Sequence, residues 1–188
     1  MLYEQALEIA NDALAALAPH CTIAHIAGSV RREVEEVGDI EIVCLPIKTP
    51  AGPVDLFAPG GEIVIPEFTA AVQALGKVVL GKPNGRMMRL HLPEGIALDM
   101  FTPNAEDYYR IFCIRTGSKT YVRNTVAAAW VAAGWCGTEH GLRKITDCRH
   151  DGYKWKWINT AGDLPPVWED EEEFIDWLSL PYILPNLR

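Results

Sequence analysis

The sequence predicts an α+β fold, in which a small mixed sheet flanked by helices is followed by a helix-plus-β-hairpin domain. Apolar residues recur at three- and four-residue steps through the first seventeen residues, which is typical of an amphipathic helix. Beyond residue 105 the pattern is mainly helical again. Between them, strand-like segments bounded by turn signals occur at residues 22–27, 39–45, 78–80, 87–92 and 96–101. We therefore expect one domain at residues 1–105 and a second at residues 106–188.

Capping and breaking residues predict the limits of the helices. The first helix is expected to end before Pro19, because proline lacks the N–H group that a helix interior needs. Pro66 stands at the start of a short helix, a favoured place for proline, and Ser118 is a suitable N-cap for a longer one. The stretch 48–61 is rich in proline and glycine and is predicted to be a loop. An acidic helix is predicted over residues 169–178.

The composition is that of an ordinary globular protein, with 49% hydrophobic and 22% charged residues. No apolar run approaches the ~18–20 residues that cross a bilayer, and the N-terminus carries no basic region. We therefore expect a cytoplasmic monomer that does not bind membranes. The five cysteines show no C-x-x-C spacing, which indicates reduced thiols. A zinc site formed by Cys136, His140 and Cys148 is a minor alternative.

The charge is distributed unevenly along the chain, although the net charge of −8 is unfavourable for binding nucleic acid. Residues 158–187 contain seven acidic side chains and no lysine or arginine. Residues 110–156 contain nine basic side chains against three acidic ones, a local charge of +6. A phosphate-binding surface is therefore compatible with the sequence in this central region.

Asp39 and Glu41 stand two residues apart on a predicted strand, so their side chains share one face of the sheet. The apolar residues between and after them suggest that the other face is buried. A carboxylate pair in such a place is costly without a counter-charge, and divalent metal ions are the usual remedy. Asp99 has similar apolar neighbours, and would join the pair if its strand lay beside the first. The alternative is that these acids line an ordinary solvated face.

A candidate phosphate-binding turn precedes the acids. The segment Gly28-Ser29-Val30-Arg31-Arg32 combines a small-residue turn, a hydroxyl group and two guanidinium groups. A backbone without side-chain bulk lets N–H groups approach phosphate, and arginine matches the phosphate oxygens with a bidentate fork. The combination of this turn with the carboxylates points to phosphoryl transfer assisted by two metal ions.

These residues resemble a known family. The order G-S-x-R-R followed by Gly38-Asp39-Ile40-Glu41 resembles the signature of the family X DNA polymerases, the DNA polymerase beta-like nucleotidyltransferases. Further segments resemble, in the same order, the family's third catalytic strand, its T-G-S turn, the hairpin after the nucleotide-facing helix and the C-terminal ending: Leu98-Asp99-Met100-Phe101, Thr116-Gly117-Ser118, Glu139-His140-Gly141-Leu142 and residues 173–185. The likeness implies a nucleotidyltransferase palm domain and a minimal form that lacks the N-terminal lyase and fingers domains.

The resemblance also implies a role for individual residues. Asp39, Glu41 and Asp99 would be the catalytic carboxylates and the ligands of two Mg²⁺ or Mn²⁺ ions. The nucleoside triphosphate would be bound by Gly28, Ser29, Arg32, Gly38, Gly117 and Ser118. The local basic charge, rather than the resemblance, predicts that nucleic acid is bound by Arg123, Arg143, Lys144, Lys154 and Lys156, which are interleaved with tryptophans that can stack on bases or pack in the core.

Several positions depart from the family pattern. Glu41 replaces the usual second aspartate, and Asp-x-Glu occurs in nucleotidyltransferases that act on small molecules. Ala97 replaces the basic residue expected two positions before Asp99. Val122 and Val126 stand where residues that contact the base and the template strand are expected.

The sequence therefore predicts a metal-dependent nucleotidyltransferase and leaves its acceptor open. The first hypothesis is a DNA-directed DNA polymerase that adds dNMP to a primer 3′-hydroxyl during gap-filling DNA repair, with gapped or primed DNA as its partner. The alternative is untemplated nucleotidyl transfer to a nucleic-acid end, a small molecule or a protein. A third hypothesis is a degenerate member of the family that binds without catalysis.

Overall fold

The computed structural model describes residues 1–51 and 61–188, and the chain divides into two compact units, Met1–Pro103 and Asn104–Arg188. The boundary lies two residues before the predicted one. Both helices and strands contribute to the fold, which is α+β, with a five-stranded mixed sheet flanked by helices in the first unit. In the described part of the chain, every helix is too short or too polar to cross a membrane.

The first unit alternates short helices with the strands of the sheet. Its elements are α1 (Tyr3–Leu17), β1 (Cys21–Ala27), α2 (Gly28–Arg31), β2 (Asp39–Pro46), β3 (Lys48–Pro50), β4 (Glu62–Val64), α3 (Pro66–Leu75), β5 (Lys77–Gly81), β6 (Met87–His91) and β7 (Ala97–Phe101). The sheet has the order β1-β2-β7-β6-β5. The pair β2 and β7 is parallel, and the other neighbouring pairs are antiparallel.

One face of the sheet forms the core of the first unit. Ile40 and Ile42 of β2 and Leu98 and Met100 of β7 are fully buried in one cluster with residues of α1 and α3. Because side chains alternate between the faces of a strand, the residues between these four point to the opposite face. The helices therefore cover the apolar face, and the opposite face of the same two strands carries the acidic residues.

The loop predicted over residues 48–61 is only partly what the structure shows. Lys48–Pro50 is a strand and pairs with Glu62–Val64, so the prediction was wrong for the first three residues. Most of the remaining stretch, residues 52–60, lies outside the described residues. The helices predicted to end before Pro19 and to begin at Pro66 are both observed.

The second unit contains a helical half and two hairpins. Its elements are α4 (Tyr108–Thr116), α5 (Lys119–Tyr121), a π-helical segment (Val122–Ala127), α6 (Ala128–Ala132), β8 (Trp135–Thr138), β9 (Gly141–Lys144), β10 (Cys148–His150), β11 (Trp155–Trp157) and α7 (Glu171–Trp177). The pairs β8–β9 and β10–β11 are antiparallel. Its core includes Val126, Leu142, Trp168 and Phe174.

Capping accounts for part of the acidic C-terminal region. The Asp170 carboxylate accepts a hydrogen bond from the backbone N–H of Glu173 at 2.8 Å and is the N-cap of α7. The Glu173 carboxylate in turn accepts from the backbone N–H of Glu169 at 2.7 Å. Acidic side chains in the first turn of a helix also interact favourably with its dipole. Several of the acidic residues in this region therefore stabilise the start of a helix.

Candidate active site

The sheet register brings the three predicted carboxylates to one face. In the parallel pair of β2 and β7, Glu41 stands beside Asp99, and Asp39 stands beside Ala97. Asp39, Glu41 and Asp99 thus occupy alternate positions on two adjacent strands, opposite the buried core face. The exposed fraction of the side chain is 41% for Asp39 and 9% for Asp99. On this face, Asp99 is therefore nearly buried, whereas Asp39 is accessible to solvent.

Arg89 of β6 lies on the same face and binds two of these carboxylates. Its Nε and Nη2 donate to the two carboxylate oxygens of Asp99 at 2.5 and 2.7 Å, and Nη2 also donates to Asp39 at 2.9 Å. The hydrogen bonds to Asp99, together with the negative charges of Asp99, Asp39 and Glu41, raise the pKa of Arg89 above its ordinary value. One guanidinium group is therefore hydrogen-bonded to two carboxylates and lies in the electrostatic field of a third.

Glu41 lies against the backbone of Gly28. A Cβ atom built at Gly28 would clash with the Glu41 carboxylate, and the backbone of Gly28 has a φ of +64°. Residues other than glycine adopt this left-handed backbone conformation only at an energetic cost. The backbone conformation and the clash with Glu41 therefore each require glycine here. Ala27, the preceding residue, is the β1 partner of Glu41. The turn that follows β1 is thus shaped around the Glu41 side chain.

The other residues of the candidate phosphate turn have different surroundings. Ser29 Oγ donates to the carbonyl oxygen of Asp39 at 3.4 Å, which ties the turn to the start of β2. Arg32 is half-buried at the end of α2. Gly38 is exposed, and a Cβ built there would meet no described atom within 4 Å. Packing therefore explains the glycine at Gly28, whereas Gly38 leaves open space beside its backbone.

The carboxylates have the chemistry of ligands for a hard cation, since Mg²⁺ and Mn²⁺ prefer oxygen donors. Within residues 1–51 and 61–188, however, no three His, Cys, Asp or Glu side chains are arranged to hold a metal ion. In this arrangement the cation bound by Asp39 and Asp99 is the Arg89 guanidinium. The three carboxylates are suitable oxygen ligands for a divalent cation. For all three to bind one, Asp39 and Asp99 must release Arg89 and contact the metal ion instead.

The predicted sugar-binding residues Gly117 and Ser118 lie in the second unit, where both have structural roles. A Cβ at Gly117 would approach Tyr121 Cδ1 and Val122 Cγ2 to 2.8 Å, so packing requires glycine. Ser118 is the N-cap of α5, and its Oγ accepts from the backbone N–H of Tyr121 at 3.3 Å. The helix predicted to start at Ser118 is therefore confirmed.

The predicted nucleic-acid-binding residues fall into two groups within the second unit. Arg123, Lys154 and Lys156 are exposed. Arg143 and Lys144 are half-buried and pack on tryptophan rings, with Arg143 Cζ 4.2 Å from the ring centroid of Trp157 and Lys144 Nζ 4.1 Å from that of Trp135. Such cation–π contacts stabilise a surface and reduce the freedom of the cation.

Arg89 is the site residue that sequence reasoning missed, although a signal was present. The turn predicted at Pro93-Glu94-Gly95 joins β6 and β7, and residues equidistant from the centre of a hairpin turn face each other. Counting outward from Glu94 pairs Arg89 with Asp99, as observed. Arg89 thus places a basic group beside Asp99 from the neighbouring strand. The family pattern predicts such a group at position 97, where this chain has Ala97.

The chain matches no protein-family model and no curated protein sequence. The geometry of the site and the motif resemblance are therefore the observations from which a function can be argued.

Proposed function

We propose that this protein is a metal-dependent nucleotidyltransferase of the family X type, with the first unit as its palm domain and DNA as its acceptor. The observation that carries the proposal is the placement of Asp39, Glu41 and Asp99 on one face of two adjacent parallel strands, directly beside the Gly28 turn. A solvated strand face explains alternating acids on one strand. It does not explain a third, nearly buried carboxylate in register with them.

In the proposed reaction, the acceptor 3′-hydroxyl oxygen attacks the α-phosphorus of a nucleoside triphosphate. A new P–O bond forms as the bond from the α-phosphorus to the bridging oxygen of the β-phosphate breaks, and pyrophosphate leaves. Asp99, the most buried of the three carboxylates, accepts the hydroxyl proton at a carboxylate oxygen. Mg²⁺ or Mn²⁺ bound by the three carboxylates would neutralise phosphate charge and favour ionisation of the hydroxyl group.

The phosphate turn has a complementary task in this proposal. The open backbone at Gly38 lets the triphosphate approach, and Ser29 and Arg32 orient its β- and γ-phosphates. Arg89 holds Asp39 and Asp99 in place before the metal-bound nucleotide arrives, and thereby limits the repulsion among the carboxylates.

A primer-extension assay tests the proposal. The wild-type protein is incubated with gapped, recessed or single-stranded DNA, each dNTP and Mg²⁺ or Mn²⁺. We expect incorporation that depends on the metal and falls by at least about a thousandfold in Asp99→Ala. Asp176→Ala, which changes an exposed aspartate of α7, is the matched control and should be active. Near-wild-type activity of Asp99→Ala would contradict the assignment of the third carboxylate.

One observation favours untemplated transfer as the second candidate. Val126, at a position where a template-contacting residue is expected, is fully buried in the core of the second unit and cannot contact a template. The same assay separates the candidates, because only a templated enzyme selects the complementary dNTP. Incorporation of any dNTP on single-stranded DNA supports the untemplated reaction. No incorporation on any DNA, with metal-dependent binding of nucleotide intact, indicates a different acceptor.

A further inference from the structure

The hairpin of β10 and β11 has two chemically different faces. On one face Trp155 and Trp157 are half-buried, with His150 and His140 at ring-centroid distances of 5.0 and 5.7 Å respectively. On the other face, the cross-strand partners Arg149 and Lys156 are both exposed, and the exposed Lys154 lies in the turn directly before β11. One face of the hairpin is thus aromatic and packed, and the other is basic and exposed.

The basic face is arranged at some cost to local stability. Like charges directly opposite each other on neighbouring strands destabilise the pairing, and Arg149 is directly opposite Lys156. Asp151 offsets part of this repulsion, with its Oδ2 atom 2.9 Å from Lys156 Nζ. Lys154 Nζ lies 4.0 Å from the carboxylate of Glu139, an exposed pair of little energetic value. An anion with several charges would relieve the repulsion and displace these weak pairings.

The tip of the hairpin is rigidly built around an exposed aromatic ring. Asp151 Oδ1 accepts hydrogen bonds from the backbone N–H groups of Tyr153 and Lys154 at 3.0 and 2.9 Å. Gly152, with a φ of +92°, donates its N–H to His150 Nδ1 at 3.2 Å. These contacts fix the turn, while the Tyr153 side chain projects outward with 93% of the residue surface exposed. An immobilised turn loses little conformational entropy when the ring contacts a ligand.

We propose that this hairpin binds single-stranded nucleic acid. Arg149, Lys154 and Lys156 contact phosphate oxygens of the strand, and Tyr153 stacks on an unpaired base. A basic surface beside an exposed aromatic ring is the combination by which proteins bind single strands without reading their sequence. The inference rests on the proposed function only in one respect, namely that the bound strand belongs to the nucleic-acid acceptor.

Fluorescence anisotropy tests the binding without catalysis. A labelled DNA strand of about 20 nucleotides, the RNA strand of the same sequence and the blunt DNA duplex are titrated without metal or nucleotide, at about 50 to 200 mM salt. We expect both single strands to bind more tightly than the duplex. Tyr153→Ala should weaken single-strand binding about tenfold with an unchanged salt slope, and Tyr153→Phe should bind as the wild type does.

The charge variants test the phosphate contacts separately. Arg149→Gln and Lys154→Gln should each reduce the slope of log affinity against log salt by about 0.7, the value for one phosphate contact on a single strand. Lys77→Gln, which changes an exposed lysine of β5, is the matched control and should leave the slope unchanged.

Three outcomes would overturn the inference. These are wild-type single-strand affinity in Tyr153→Ala, equally tight duplex binding, and equally effective competition by polyglutamate, which would indicate a surface for an acidic protein. Asp99→Ala separates this inference from the proposed function, because it should abolish transfer and bind single strands normally. Tyr153-dependent binding by a protein that catalyses no transfer would contradict the proposed function alone.

Discussion

Two arginine–carboxylate clusters of this molecule differ in exposure and in stoichiometry. In the second unit, Arg188 donates to both carboxylate oxygens of Glu171 at 2.6 and 3.2 Å and to the carbonyl oxygen of Ile183 at 2.6 Å. The side chains of Arg188 and Glu171 are 0% and 5% exposed. Burial alone would lower the pKa of Arg188, but the hydrogen bonds to Glu171 and its charge outweigh burial and raise it.

In the first unit, the Arg89 side chain is 39% exposed, binds two carboxylates and lies in the electrostatic field of a third. The contrast teaches how a structural ion pair differs from a candidate site. The pair in the second unit matches one cation to one anion and excludes water, so its geometry can serve only the fold. The cluster in the first unit gathers several anions around one cation at a surface that water and ligands can reach. Such an arrangement can exchange its cation.

Removing Arg188 from its buried ion pair with Glu171 should give the largest loss of stability. Arg188→Met leaves the Glu171 carboxylate buried beside an apolar side chain, which should destabilise the second unit by about 3–5 kcal/mol. All six tryptophans lie between residues 130 and 177, so tryptophan fluorescence during urea denaturation reports on this unit. The double variant Glu171→Gln/Arg188→Met should lose less stability than the single one. Equal losses would show that packing, rather than the buried charge, dominates.

Gly28→Ala tests whether the Glu41 carboxylate needs the space beside the Gly28 backbone. The left-handed backbone and the clash with the Glu41 carboxylate should together cost about 2 kcal/mol of the stability of the first unit. Gly38→Ala is the matched control, since a Cβ there meets open space, and its stability should be unchanged. In the proposed function, Gly38→Ala should nevertheless raise the KM for the nucleotide. Stability is measured by far-UV circular dichroism, and an equal loss in both variants would contradict this account.

Arg89→Met removes the cation that Asp39 and Asp99 bind. Partial exposure screens the interaction, so the first unit should lose only about 1 kcal/mol. Added Mn²⁺ should raise the melting temperature more in this variant than in the wild type, because the metal no longer competes with the guanidinium group. Lys77→Met in the same sheet is the control. A variant that gains no more from Mn²⁺ than the wild type would show that the carboxylates do not exchange Arg89 for a metal ion.

The smallest effect is expected at Asp151, whose ion pair with Lys156 lies at the surface, with the two side chains 28% and 49% exposed. Hydrogen bonds from the backbone N–H of Lys154, from Lys156 and from the backbone N–H of Tyr153 lower the pKa of Asp151 below its ordinary value of 3.8. Asp151 has a lower pKa in the folded protein than in the unfolded chain. Its carboxylate therefore stabilises the turn fully above about pH 4, and this stabilisation is lost as the pH falls further. The protection of the Tyr153 and Lys154 amides against exchange, measured relative to the intrinsic exchange rate at the same pH, should therefore be greater at pH 5 than near pH 3.

Asp151→Ala should show the lower protection at both pH values. Asp163→Ala, which changes another exposed acid of the same unit, should behave as the wild type does. Exchange that is equally slow in Asp151→Ala at pH 5 would mean that the turn does not depend on this carboxylate.

Much of the first unit could be predicted from local patterns. The alternation of Asp39 and Glu41 with Ile40 and Ile42 specifies a strand and its buried face, because the side-chain period of a strand is two. The pairing of β2 with β7 is a non-local choice that no local pattern specifies. The convergence of Asp99 with the other two acids therefore remained conditional until the topology was known.

The second unit was less predictable, because its elements are short. The strands Trp135–Thr138 and Cys148–His150 have four and three residues, too few to show a clear alternation. The π-helical segment at Val122–Ala127 follows no capping or periodicity signal in the sequence. Arg188 was missed for a similar reason: its partner lies seventeen residues away, and local patterns do not show burial at that range.

The π-helical segment also affects any comparison of this helix with an uninterrupted one. Such a segment has the effect of one inserted residue, absorbed by a wider turn instead of a loop. Residues after it are rotated by about 100° relative to a regular α-helix of the same length. An alignment without a gap therefore assigns the wrong neighbours to positions beyond the segment. Homologues of this chain should be aligned with a one-residue gap between 122 and 127 before substitutions beyond this segment are interpreted.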